Sequence, residues 1–270
     1  MGLQQHRGLK RSLLGSSSVV LAIALAAVLG GCANQRPEVT GAISPSSAPI
    51  SESDWRQRVE TLAAQYRSQP NDSAIAIAYA QALRATGQRA QAAAVLQQTS
   101  IRNPKNSSVL GAYGRALADI GQFAQALDVL GKAHTPDKPD WRILNAQGAV
   151  LDQMGNNAEA RRYYETALKS APEEPAILSN LGLSYALSKN LTRAEATLRR
   201  AIADQRAEPK VRQNLALVLA LQGKFDEAER ITVADLPPDQ ARSNVAYLRE
   251  MIREHDRRKT SASPKVAVSG

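Results

Sequence analysis

From Trp55 to Ile252 the apolar residues fall three and four apart, the spacing that lines one face of a helix, and short polar stretches break the pattern into segments. The segments repeat. Blocks opening at Ser73, Ser107, Trp141, Pro175 and Pro209 form five consecutive units of 34 residues with no insertion or deletion between them. The eighth place of each unit is small (Ala80, Gly114, Gly148, Gly182, Ala216), and so is the twentieth (Ala92, Ala126, Ala160, Ala194, Ala228). The eleventh is large (Leu83, Leu117, Leu151, Tyr185, Leu219), and the twenty-fourth reads Leu96, Leu130, Tyr164, Leu198 and, weakly, Thr232. Each unit predicts two amphipathic helices joined at the fifteenth place, which holds Gly87, Gly121, Gly155, Lys189 and Gly223, because glycine takes a left-handed turn at least cost. The small places let the two helices approach, and the large ones fill the space between them. Phe123 and Phe225 stand at the seventeenth place, under the turn.

The pattern resembles the tetratricopeptide repeat. One helix pair cannot bury its own apolar face, so neighbouring pairs stack. The fold expected is all-α, a right-handed superhelical solenoid of about five helix pairs over residues 53–258, closed by a cap helix at 53–69 and another at 238–258. Two departures stand out. Lys189 replaces the turn glycine, and "HTPDKPD", residues 134–140, predicts an irregular bend before Trp141, which either packs on that bend or is left exposed as an interface anchor.

Ahead of the repeats the chemistry changes. Arg7, Lys10 and Arg11 precede the apolar run Val19–Leu29, which is too short to cross a hydrocarbon core needing about 20 apolar residues but suits an export signal. Leu29-Gly30-Gly31-Cys32 resembles the lipobox of bacterial lipoproteins, which implies removal of residues 1–31 and acylation of Cys32, the single cysteine. An uncleaved anchor or an ordinary signal peptide are the alternatives. Residues 33–52 are rich in Pro, Ser, Gly and Ala and predict a flexible tether of about 25 Å r.m.s. span. Residues 259–270 predict a disordered tail.

The whole chain has a formal charge of +9, and losing three basic and no acidic side chains with residues 1–31 leaves the remainder only mildly basic. Its charges alternate along helix faces, which argues against a nucleic-acid surface. Catalysis, metals and cofactors find no support. Beyond Cys32 there is no thiol, His134 and His255 are the only histidines after the signal, and no glycine-rich phosphate cradle occurs. Glu173-Glu174 precede Pro175, where they complement a helix dipole.

In a tetratricopeptide array the concave surface is lined by the first helix of each unit, chiefly at places two, five, nine, twelve and thirteen. Units one to three contribute Arg84, Arg115, Asp119, Arg142, Asn145, Asp152 and Gln153 there. Units four and five contribute Leu183, Leu187, Leu217 and Leu221, with Ser179, Lys210 and Gln213 at the rim. The groove is expected to be polar at one end and apolar at the other, fit for a partner helix or tail. The Lys and Asn set by which some cochaperones of this class hold a C-terminal carboxylate is missing from the fifth and ninth places. Alternatively, the closing helix folds back and covers the leucines with Val245, Leu248 and Ile252.

The lipobox and repeats, together with "SNLGLSYALSKN", "QNLALVLALQGKFDEAER" and especially "LPPDQA" and "NVAYLREM" near the end, resemble the TadD lipoproteins of the tight-adherence (Flp) pilus apparatus. That resemblance implies a lipid anchor at the periplasmic face of the outer membrane, with which Ala33 after the cysteine agrees. It also implies a pilotin-like role toward an outer-membrane secretin or another pilus component. A lipoprotein scaffold for other envelope machinery is the alternative.

Overall fold

A computed structural model of the chain describes residues 51–135 and 137–262. The signal segment, Cys32, the tether through residue 50 and the tail from residue 263 lie outside the described residues. Among the described residues twelve helices follow one another: α1 (Glu52–Ser68), α2 (Ser73–Ala85), α3 (Arg89–Arg102), α4 (Ser107–Asp119), α5 (Phe123–Gly131), α6 (Trp141–Gln153), α7 (Asn157–Ser170), α8 (Pro175–Leu187), α9 (Leu191–Ile202), α10 (Pro209–Leu221), α11 (Phe225–Thr232) and α12 (Pro238–Ala262). The expected all-α array is what forms. α2 to α11 are the five pairs, α1 opens the stack in a capping box made by Ser51 and Asp54, and α12 closes it.

Local chemistry sets the helix starts. The residue before each first helix is Asp72, Asn106, Asp140, Glu174 or Glu208, and the first three accept hydrogen bonds from the opening backbone N–H groups. Glu174 and Glu208 make no side-chain cap, and the proline that follows each removes one of the donors needing satisfaction. At the fifteenth place φ lies between 78° and 82° in all four glycines, and Lys189 is forced to 61°. Glu173 also sits at a positive φ of 55°, which the repeat pattern gave no reason to expect.

The close approach of paired helices is visible at the eighth place. A Cβ added to Gly114, Gly148 or Gly182 would lie 2.5, 2.5 and 2.6 Å from Leu130, Tyr164 and Leu198, the residues of the twenty-fourth place. The two helices of a pair are therefore in contact where the small and large places meet. Pairs stack so that α4 touches α2 and α6, and α8 touches α6 and α10. Buried Leu and Ala then form a core running the length of the array, from Leu83 and Leu96 through Leu144 and Ile177 to Leu215 and Leu219. Phe123 and Phe225 open α5 and α11 and pack against that core.

At the margins a non-helical segment lies where the irregular bend was expected, and one expectation changes. α5 stops at Gly131, and the segment after it holds a bridge between Thr135 and Lys138 in place of further helical turns, so the period of 34 survives while the helix shortens. Residues 259–262 are helical, whereas a disordered tail was expected from 259, because nothing after Arg258 breaks the helix before Pro264. The Arg258 guanidinium bonding Glu254 one turn earlier supports that last stretch. Among the described residues no helix is long and apolar enough to cross a membrane.

Candidate functional site

The first helices α2, α4, α6, α8 and α10 carry the residues expected to line the groove. At the apolar end Leu183, Leu217 and Leu221 are half-buried and Leu187 is 43% exposed. None of the four belongs to the buried core or to the partly buried residues packed against it among the described residues. The apolar face of the closing helix is directed at the core. Val245, Leu248 and Ile252 of α12 join the core cluster that contains Val211, Leu215 and Leu219, and α12 touches α10 and α11. It continues the stack as a further first helix would, which explains why its apolar face is spent on α10 and α11.

At the polar end the expected residues have different fates. The Arg84 guanidinium bonds the Asp119 carboxylate across α2 and α4, a pair about two-thirds to three-quarters buried. The Arg142 guanidinium lies over the Trp141 ring, 4.4 Å from its centroid, while that half-buried ring packs on the core of the third and fourth units. Trp141 is thus neither free in solvent nor fully inside. Arg115, half-buried on α4, makes no hydrogen bond or ion pair among the described residues. Burial and then the neighbouring Arg84 guanidinium lower its pKa, against the pull of Asp140 and Asp119. Ile77, Gln81, Arg84 and Arg115 share a cavity of about 20 Å³, room for roughly one water and for no small-molecule ligand.

Asn145 and Asp152 are engaged between units. The Asn145 Oδ1 accepts from Asn180 Nδ2 at 3.0 Å, and Ser179 Oγ accepts from Asn214 Nδ2 at 2.9 Å. Fifth place thus meets sixth place of the next unit, twice in succession. The recurrence of Asn at the sixth place of units four and five was the sequence signal for these pins. Asp152 is turned inward. Its carboxylate accepts from Tyr164 Oη at 2.9 Å, Ser184 Oγ at 2.8 Å and Asn157 Nδ2 at 2.7 Å. Burial pushes its pKa up despite the three donors, and burial together with Asp152 pushes the Tyr164 hydroxyl up. Here Asn157 stands where two other units have Phe, and Tyr164 where three have Leu, so the joint between units three and four is polar inside. Glu173 and Glu174 are ion-paired with Arg200 and Arg206.

Beyond the groove, Arg212 Nε donates to Asp235 Oδ2 at 2.7 Å, which ties α10 to the segment leading into α12. Glu195 on α9 accepts from Arg199, Lys224 and Gln222 and bonds the fourth pair to the fifth.

Solved structures with this architecture are distant in sequence. A thermophilic TPR protein of Thermus thermophilus, TTC0263, is 21% identical with a TM-score of 0.58, covering 66% of this chain and 98% of its own. PilW, described as a widely conserved type IV pilus biogenesis factor, is 17% identical with a TM-score of 0.56, covering 68% and 87%. The Cut9–Hcn1 hetero-tetramer of the APC/C is 14% identical with a TM-score of 0.59, and this chain, 76% covered, spans 40% of that one. No curated protein is similar to the chain in sequence at a significant level. Tetratricopeptide-repeat family models match residues 62–139 and 145–210, and a further one matches 211–232. With its left-handed turns, its small-on-large pairing and more than half of its length matched in this way, the chain belongs to the tetratricopeptide-repeat family, whose arrays are protein-binding scaffolds.

Proposed function

We propose that the protein is a lipid-anchored assembly factor at the periplasmic face of the outer membrane, and that its groove holds a component of a tight-adherence (Flp) pilus system, foremost the secretin. The observation that carries this reading is the set of four leucines, Leu183, Leu187, Leu217 and Leu221, on two adjacent first helices and outside the core. Apolar side chains left outside the core on neighbouring helices are suited to an interaction site. The lipobox-like Leu29–Cys32 supports the anchor, and the "LPPDQA" stretch supports the pilus assignment. The likeness to PilW is a likeness of fold at 17% identity and supports the reading to that extent.

The test is in-cell crosslinking of the full-length protein, followed by identification of what it captures. Leu183→Glu with Leu217→Glu is expected to lose secretin capture while thermal stability holds, because neither side chain supports the core. Cys32→Ser is expected to leave uncleaved precursor without labelled fatty acid. Capture of unrelated envelope machinery in place of pilus components would leave a general envelope scaffold. Unchanged capture in the double variant would move the binding face away from the groove.

A further inference from the structure

We propose that Arg115 receives a side-chain carboxylate of the protein segment that lies in the groove, so that the partner is an acidic segment with apolar residues further along it. This rests on the groove reading above and adds the chemistry of its polar end.

Three observations meet at Arg115. Its guanidinium is half-buried and has five N–H donors, yet no hydrogen bond or ion pair is formed among the described residues. Its two acidic neighbours are already committed. Asp119 bonds Arg84, and Asp140 accepts the Arg142 backbone N–H at 2.8 Å to cap α6. Asp119 spends both oxygens on Arg84 and Asp140 spends Oδ1 on the cap, and neither bonds Arg115 among the described residues. Burial and then Arg84 depress its pKa, and Asp140 and Asp119 pull the other way without bonding it, so the charge of Arg115 itself is left without a hydrogen-bonded partner among the described residues. A carboxylate arriving from outside would meet a planar fork suited to two parallel hydrogen bonds.

The chain itself does not supply an acidic stretch from the parts outside the described residues. Residues 1–50 carry one acidic side chain, Glu38, and residues 263–270 carry none. On the groove reading the segment belongs to a partner polypeptide, and a pair of acidic side chains distinguishes it from the tether with its lone Glu38. Arg115 lies on α4, two units from Leu183 on α8 and three from Leu217 on α10. With neighbouring axes about 10 Å apart, the separation is about 20 to 30 Å. An extended segment advancing about 3.3 Å per residue would place its carboxylate roughly six to nine residues from its apolar anchors.

The probe is a short synthetic peptide with a pair of glutamates at one end and leucines at the other, compared with its Glu→Gln counterpart. Trp55→Phe leaves Trp141, under the Arg142 guanidinium, as the single tryptophan, excited selectively over the tyrosines. The glutamate peptide is expected to bind about tenfold more tightly than the glutamine peptide, and that advantage is expected to fade as salt rises. Arg115→Met is expected to bind both peptides equally and to melt at or above the temperature of the parent, because it removes an unpaired, half-buried cation. Arg115→Lys keeps a charge and is expected to retain part of the preference. Equal binding of the two peptides to the parent, if Leu217→Glu abolishes it, overturns this inference and leaves the groove reading intact. Absence of binding by either peptide counts against both. A glutamate preference that survives Arg115→Met, or a marked loss of stability in that variant, assigns Arg115 a structural role and overturns the proposal.

Discussion

Gly148→Ala is a single methyl group whose effect the packing decides. The new Cβ would lie 2.5, 2.8 and 2.9 Å from Cε1, Cζ and Cδ1 of Tyr164, against about 3.5 to 4.0 Å for relaxed carbon contacts, so the ring must retreat by about 1 Å. It has little freedom to do so. Tyr164 is 1% exposed, and its hydroxyl is held by Asp152 at 2.9 Å. Overpacking of this kind costs about 1 to 3 kcal/mol, against which alanine gains up to about 1 kcal/mol over glycine inside a helix. Gly131→Ala is the control. It is exposed near the end of α5, where the nearest atom to a new Cβ is Gln147 Nε2 at 4.0 Å, so only the gain remains. The two variants should therefore move apart by about 2 kcal/mol, or roughly 4 to 8 °C for a domain of this size. Chemical denaturation followed by circular dichroism measures both. A Gly148→Ala variant as stable as Gly131→Ala would refute the pairing of eighth and twenty-fourth places.

Lys189→Gly relieves the left-handed backbone at the fourth turn and should raise stability by about 1 kcal/mol, read as a shift in denaturation midpoint; an unchanged or lower midpoint would contradict a strained Lys189. Glu195 is held at a pKa of about 2, first by its bond from Lys224 and, against some desolvation, by Arg199 and Gln222. Its folded value lies below the ordinary 4.5, so its contribution is present above that value and is lost as pH falls from 4.5 toward 2. The melting-temperature gap between the parent and Glu195→Gln should narrow across that window, and a gap independent of pH would contradict the assignment.

The architecture was legible in one dimension because a tetratricopeptide array is local chemistry repeated. Turn conformation, helix pairing and stack length depend on residues within one unit or one period of it. Thus the fifteenth place foretold the left-handed backbone even at Lys189, and the eighth foretold which helices would touch. What each groove residue does depended on the superposition of neighbouring units. Arg84, Arg115 and Arg142 look equivalent in the sequence, yet one is ion-paired across 35 residues, one is stacked on its neighbour and one has no partner among the described residues. Asp152 looked like groove lining until Ser184 of the next unit and Tyr164 of its own drew it inside. The closing helix was visible as an amphipathic segment, but its docking on α10 and α11 was not. A helix's apolar stripe says that it must be buried, and only the tertiary structure says against which surface.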